Sequence, residues 1–306
     1  MSAFAPSGEQ VELRFEDQRA VIVAVGGGLR SYEIADRAIL DGYAPEEICD
    51  GGRGQPLMPW PNRTRDGRYE WDGRSFQLDL SEPDKGNAIH GLVRWRNWTA
   101  SEPSDASVTM THVLNPSSGY PWKLELELRY ELADDGLTVT ASATNAGNLP
   151  APFGVSFHPY LRAVGADLLD GCELTLPAAT RLIADERLIP HSSEPVAGTP
   201  FDFRAPRAIG GLVMDDCFTD LERDADGLGQ VKLAAPDDGA RSILWFDEAY
   251  PFLMIFSGDT LAKGVRRQGL AVEPMSCAPN ALQSGAGLVR LEPGASHVSR
   301  WGIRAG

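Results

Sequence analysis

Leu124-Glu125-Leu126-Glu127-Leu128-Arg129-Tyr130-Glu131-Leu132 puts an apolar side chain at every second position and a charged one between. Period two buries one face and wets the other, which is the pattern of an antiparallel strand. Asp134-Asp135-Gly136 follows, a hairpin signal. Leu137, Val139, Ala141 and Ala143 then alternate with Thr138, Thr140, Ser142 and Thr144. The spacing predicts a β-hairpin, and similar pairs recur outward from it. Val11–Val25 reads as two strands about Glu16-Asp17-Gln18, and Tyr69–Leu80 as a short hairpin about Asp72-Gly73. In Gln230–Phe246, Asp237-Asp238-Gly239 links Val231–Leu233 to Ile243–Phe246. Helical periodicity is scarce, and the 32 Gly and 22 Pro are spread along the whole length, which favours turns over long helices. The expected fold is all-β: one large antiparallel β-sandwich spanning residues 1–306, with few short helices.

The bulk properties narrow the function classes. A chain of 306 residues with 42% hydrophobic content can bury a core without splitting into domains. A net charge of -15 argues against a nucleic-acid or anionic-membrane partner. Cys49, Cys172, Cys217 and Cys277 are scattered, with no C-x-x-C pair, so neither a zinc site nor a disulfide framework is expected. Met1–Phe15 lacks the basic start and apolar run of a secretory signal. No run of roughly 18 apolar residues marks a membrane span. The expectation is a cytoplasmic protein, monomer or homodimer.

Five short segments place ionisable groups among aromatics, Pro and Gly. They are Pro59-Trp60-Pro61-Asn62-Arg63, Asn87-Ala88-Ile89-His90-Gly91, Phe157-His158-Pro159-Tyr160, Met214-Asp215-Asp216-Cys217-Phe218 and Ala271-Val272-Glu273-Pro274. Each has an ordinary structural reading. Arg63 could be a solvated loop residue, the histidines core residues, Asp215-Asp216 a turn, and Glu273 a surface residue ending a strand. Together they supply a carboxylate, two imidazoles, an Arg and a further Asp. That inventory suits general acid/base work on a neutral polyhydroxylated molecule. A carboxylate after the apolar run Leu270-Ala271-Val272 should be desolvated, with its pKa raised unless paired. The tryptophans, Trp60, Trp71, Trp95, Trp98, Trp122, Trp245 and Trp301, could offer a flat face to a sugar, although most suit a core. No G-x-S-x-G elbow or phosphate-binding P-loop is present. Val25-Gly26-Gly27-Gly28 lacks dinucleotide-binding spacing and reads as a tight turn between strands.

In this order the five segments resemble the aldose 1-epimerase (galactose mutarotase) family, in a divergent bacterial-type branch. The likeness runs from about Gly26 to Trp301. It includes Gly54-Gln55-Pro56-Leu57 before Pro61-Asn62-Arg63, and closes on Leu291-Glu292-Pro293-Gly294 and Trp301-Gly302-Ile303. The resemblance implies a galactose mutarotase-like supersandwich whose concave face holds a sugar, and anomer interconversion without metal or cofactor. Carried over, Glu273 is the base at the C1 hydroxyl and His158 the acid at the ring oxygen. His90 positions the ring oxygen or an adjacent hydroxyl, and Arg63, Asn62 and Asp215 hold the sugar. Two departures stand out. Many members have Asp-His where this chain has Asp215-Asp216, and Asp215 is ranked first. The second His commonly follows Asn and Thr, whereas here Ser156-Phe157 precede His158.

Three alternatives stay open at the level of sequence. A hexose-6-phosphate 1-epimerase would use Arg53, Arg94 or Arg96 for the phosphate. A sugar-binding protein on the same fold would bind without rate enhancement. A retaining glycosidase would pair Glu273 with Asp215.

Overall fold

The computed structural model describes residues 5–236 and 241–306. The hairpin expected from the period-two pattern at Leu124–Leu132 forms. Leu124–Ala133 pairs with Gly136–Asn145, Leu128 facing Ala141 across the ladder. The leucines and Tyr130 are buried and the glutamates exposed. This hairpin sits inside a nine-stranded antiparallel sheet. Its order is Thr99–Ser101, Ser107–Leu114, Leu124–Ala133, Gly136–Asn145, Ser296–Ala305, Arg241–Phe246, Gly229–Ala234, Glu173–Thr175 and Arg207–Ala208. The strands on either side of the last expected turn, Gly229–Ala234 and Arg241–Phe246, pair as read, while Asp237-Asp238-Gly239 lies outside the described residues.

A second sheet of eight strands carries the chemistry. It runs Pro190–Pro195, Ala178–Ala184, Asp215–Leu221, Phe252–Phe256, Leu270–Met275, Ser156–Phe157 and Pro56–Leu57, with Tyr160–Leu161 also on Leu270–Met275. A four-stranded sheet of Gln10–Phe15, Gln18–Val23, Leu29–Ile34 and Arg37–Ala38 flanks the first. It is tied there by Gln18 Nε2, which donates to Ala133 O at 2.7 Å. The Gly26-Gly27-Gly28 segment is the turn between two of its strands, as expected. Arg68–Trp71 and Arg74–Gln77 form the small hairpin about Asp72-Gly73. The helices among the described residues are short: Ala281–Ser284 and the 3-10 turns Pro83–Lys85 and Leu169–Gly171. None is long and apolar enough to cross a membrane.

The two large sheets share one hydrophobic core, which makes the architecture a sandwich. Phe157 of the eight-stranded sheet meets Trp301 of the nine-stranded sheet with ring centroids 5.0 Å apart. Phe218, Leu253, Ile255 and Val272 point into that core. Side chains alternate along a strand, so their neighbours Cys217, Met254 and Glu273 lie on the opposite face. The ladder aligns those three in one row, Cys217 opposite Met254 and Met254 opposite Glu273. Cys217, Met254 and Met275 form a small apolar cluster of their own there. All four cysteines are unbridged.

Candidate active site

Register brings the acid and the imidazole together. Ser156 pairs with Met275, and Tyr160 pairs with Ala271, on the same strand Leu270–Met275. Each pair of numbers sums to the same value, so His158 falls opposite Glu273. The contact follows: His158 Nε2 lies 3.3 Å from Glu273 Oε1, and both side chains are buried. Glu273 is thus not the exposed end of a strand. Every residue of Leu270–Met275 is buried, because strands flank it on both sides.

The imidazole of His158 is held from two directions. Tyr160 stacks on it, centroids 5.0 Å apart and planes within 16°. Tyr160 Oη in turn donates to Gly51 O at 2.8 Å. A Cβ on Gly52, whose φ is +75°, would stand 3.0 Å from His158 Cδ2, so the loop backbone closes on the ring. His90 meets His158 edge to face at 5.5 Å.

His90 does not sit in a strand. It follows Asn87–Ile89 with φ 63°, a left-handed conformation that strains a residue bearing a Cβ. Its N–H donates to Asn62 O at 2.9 Å. Only glycine fits at position 91, where a Cβ would stand 1.9 Å from Met58 O. Asn62 is also left-handed, with φ 52°. Strain of this kind persists where surrounding structure fixes it, and it gathers at functional sites.

Arg63 is buried, not solvated. Its Nε and Nη2 each reach a different oxygen of Glu82 at 2.9 Å, a bidentate pair. Asn87 Nδ2 donates to the same carboxylate at 2.9 Å. Burial works to raise the Glu82 pKa, and these donors hold it below its ordinary value. Asp215-Asp216 opens the strand Asp215–Leu221 and is not a turn: Asp215 pairs with Phe256 and Asp216 with Ile255 on the neighbouring strand. Alternation separates the two acids. Asp215 faces the cavity, and Asp216 turns away to accept from Arg181 Nη1 at 2.9 Å.

A cavity of about 360 Å³ collects these groups. Glu273, His158, His90, Arg63, Asn62 and Asp215 all line it. Further lining comes from Cys49-Asp50-Gly51-Gly52, Arg94, Trp95, Met254 and Phe256. Of the tryptophans only Trp95 faces the cavity, and it is 52% exposed, while Trp60, Trp98, Trp122 and Trp301 are core. Arg53 is spent elsewhere, in a buried pair with Asp41 at 3.2 Å, and the exposed Arg96 does not line the cavity. The 49–52 loop and Glu82 carry no periodic signal, and sequence reading passes over them; the doublet Gly51-Gly52 was the only hint.

Burial sets the electrostatics. It pushes the Glu273 carboxyl well up, the nearby Asp215 charge adding to the effect and Arg63 opposing it. Burial pushes the His158 imidazole down to about 3, with Arg94 the next cause. Asp215 is raised by burial and drawn back by Arg63. Among the described residues, Glu273 Oε2, His158 Nδ1 and His90 Nδ1 are buried without a hydrogen-bond partner. An unsatisfied buried polar atom costs about 1–3 kcal/mol, so unmatched polarity is concentrated on the acid and the two imidazoles of this cavity.

The family model for aldose 1-epimerase matches residues 9–304. The chain belongs to the aldose 1-epimerase family. It is 36% identical to the uncharacterized protein YihR of Escherichia coli (strain K12), over 95% of this chain and 91% of that protein. It is 29% identical to the aldose 1-epimerase of the same strain, over 77% of this chain and 75% of that one. Among solved structures, the galactose 1-epimerase of Lactobacillus acidophilus NCFM superposes with a TM-score of 0.82 at 20% identity. That match covers 97% of this chain and 94% of the other. Members of this family are isomerases acting on sugars, and this aldose 1-epimerase family chain has the same β-rich sandwich.

Proposed function

We propose that the protein interconverts the α and β anomers of a hexose by opening and reclosing the ring. The observation that carries this reading is the buried Glu273–His158 pair, 3.3 Å apart on the cavity wall. Ring opening must take a proton from the C1 hydroxyl and give one to the ring oxygen. Both oxygens are bonded to the same carbon, so base and acid must converge on one small region. In this reading Glu273 takes the hydroxyl proton, and the electrons of that O–H bond form the carbonyl. The bond from C1 to the ring oxygen breaks, and His158 protonates the ring oxygen. The C1–C2 bond turns, and reclosure on the other face runs the two transfers backwards.

The remaining groups orient the sugar. Arg63, Asn62 and Asp215 hold hydroxyls, and His90 supports the ring oxygen side next to His158. Positioned acid and base groups contribute on the order of 100- to 10,000-fold, and a reaction that proceeds spontaneously needs no larger apparatus.

Polarimetry of glucose and galactose mutarotation tests the reading. Glu273→Gln and His158→Ala should each lose the acceleration by at least roughly 100-fold. Full rates in both variants would sink the proposal. Saturable binding with no acceleration by the native protein would make it a sugar-binding protein instead, and cleavage of a glycoside would make it a hydrolase.

A further inference from the structure

Behind the cavity wall lies a buried ion pair that takes no part in the proton transfers. Arg53 grips Asp41 with Nε and Nη2, each 3.2 Å from Oδ2, and the two side chains are 5% and 9% exposed. Neither residue lines the cavity. Such a pair is a poor device for stability alone. Taking both charges out of water can cost more than their attraction returns, and apolar side chains of similar volume often serve as well. What the pair touches gives it another role.

Three ties lead from the pair to His158. The Arg53 guanidinium rests over the Tyr160 ring, 5.0 Å from its centroid, and Tyr160 stacks on His158 at the same separation. Arg53 Nη1 donates to Asp50 O at 3.1 Å, in the loop where Gly51 O receives the Tyr160 hydroxyl and Gly52 closes on the imidazole. The Asp41 N–H donates to Tyr160 O at 2.9 Å. A Cβ on Gly269 would stand 2.6 Å from Asp41 Cβ and 3.1 Å from Tyr160 Cβ, so both residues close on one glycine. The backbone of His158 is fixed separately, by Gly54 N–H donating to its carbonyl and its own N–H donating to Gln55 O. The ring is not fixed that way. Among the described residues, no other residue bonds to His158 Nδ1, so packing against Tyr160 and the loop sets the orientation of the imidazole.

We propose that Asp41 and Arg53 are positioning residues for His158, acting through Tyr160 and the 49–52 loop to hold Nε2 at Glu273. That His158 is the proton donor rests on the epimerase reading above; the anchoring of its ring does not. A guanidinium meets a carboxylate, a carbonyl and a ring face at once from one rigid plane. An apolar side chain would fill the same volume and direct none of the three. Catalytic side chains must be held by packed and bonded neighbours to stay in productive geometry. A misplacement of about 1 Å costs roughly 100-fold in rate, so the pair acts on kcat rather than on sugar binding.

The test combines mutarotation kinetics, well below the unfolding transition, with NMR of protein labelled with 15N at histidine. Asp41→Leu together with Arg53→Met removes both charges, keeps the bulk and leaves no lone buried charge. In this double variant kcat should fall roughly ten- to a hundredfold, with KM within about twofold of the native value. The His158 ring signals, assigned by their loss in His158→Ala, should shift. Those of His112 and His297, on the nine-stranded sheet, should stay in place. Tyr160→Leu should repeat the kcat loss, and Tyr160→Phe, which keeps the stacked face, should recover most of it. If the double variant fails to fold, Arg53→Lys keeps the charge without the planar fork and should show the same kcat-selective loss and the same His158 shift on a smaller scale. A native kcat, unmoved His158 signals, or a loss carried by KM overturns the inference in either variant. The NMR arm needs no turnover. If the native protein accelerates no mutarotation, the epimerase reading falls, and shifted His158 signals still support the positioning pair while unmoved ones overturn it.

Discussion

Glu273 and His158 are shifted in opposite directions by the same burial, upward for the carboxyl and downward to about 3 for the imidazole. Between those limits the pair holds one proton, and its titrations belong to the pair. Moving that proton across the 3.3 Å contact yields the carboxylate base and the imidazolium acid together. The sign of the pH dependence follows. Falling pH adds a second proton near the low imidazole value and leaves no base. Rising pH strips the shared proton at the raised carboxyl value and leaves no acid. Enzymatic kcat/KM, after subtraction of the spontaneous rate, should therefore show a bell whose upper limb lies well above the ordinary carboxylate range. Glu273→Asp should keep a bell with displaced limbs. A flat profile from acid to neutral and alkaline pH would contradict the shared-proton pair. The desolvation of Glu273 is legible from Leu270-Ala271-Val272 before it, but its partner is not, because His158 lies more than a hundred residues away.

At the scale of the strand, alternation divides Asp215 from Asp216 and gives them separate jobs. Sequence reading ranks Asp215 first yet takes the segment for a turn. Two adjacent acids look like a turn when their neighbours are unknown. The strand forms because Ala178–Ala184 and Phe252–Phe256 pair with it from both sides. Asp215→Asn should lower kcat/KM roughly tenfold through lost sugar contacts, with little effect on the melting temperature. Asp216→Asn should weaken the contact to Arg181 and leave kcat/KM within about twofold. Its cost to stability is expected at about 1 kcal/mol or less, since the pair is partly exposed. Mutarotation kinetics and thermal melts on both variants decide it, and the reverse pattern would put Asp216 at the sugar. The 49–52 loop carries a parallel expectation. Gly52→Ala adds a Cβ 3.0 Å from His158 Cδ2 at φ +75°, so kcat should fall at least severalfold as the imidazole is displaced from Glu273. An unchanged kcat would show that the loop does not set the ring position.

The whole molecule separates what local sequence encodes from what it does not. Hairpins such as Leu124–Ala133 with Gly136–Asn145 join neighbours through a short turn, so period two and Asp-Gly suffice to read them. Sheet order depends on distant pairs. Gly136–Asn145 is completed by Ser296–Ala305, from the far end of the chain, and no local pattern announces that partner. The resemblance of five short motifs reached across this gap because it compares order along the chain rather than physical contact. A division of labour follows from the architecture. The nine-stranded sheet supplies bulk core and none of the six residues assigned to the sugar, all of which lie on the eight-stranded sheet or its adjoining loops and short strands. Leu128 is fully buried in the first sheet. Leu128→Ala removes packed methyl groups and should cost about 2–5 kcal/mol of stability. Because the lost packing is remote from Glu273 and His158, kcat and KM well below the unfolding transition should match the native protein. Urea unfolding and mutarotation kinetics on the same preparation check both halves. A native midpoint would mean that the first sheet is not the stabilising layer. A native stability loss accompanied by a tenfold rise in KM would mean that the cavity is shaped through the core, with Phe157 and Trp301 as the first contacts to examine.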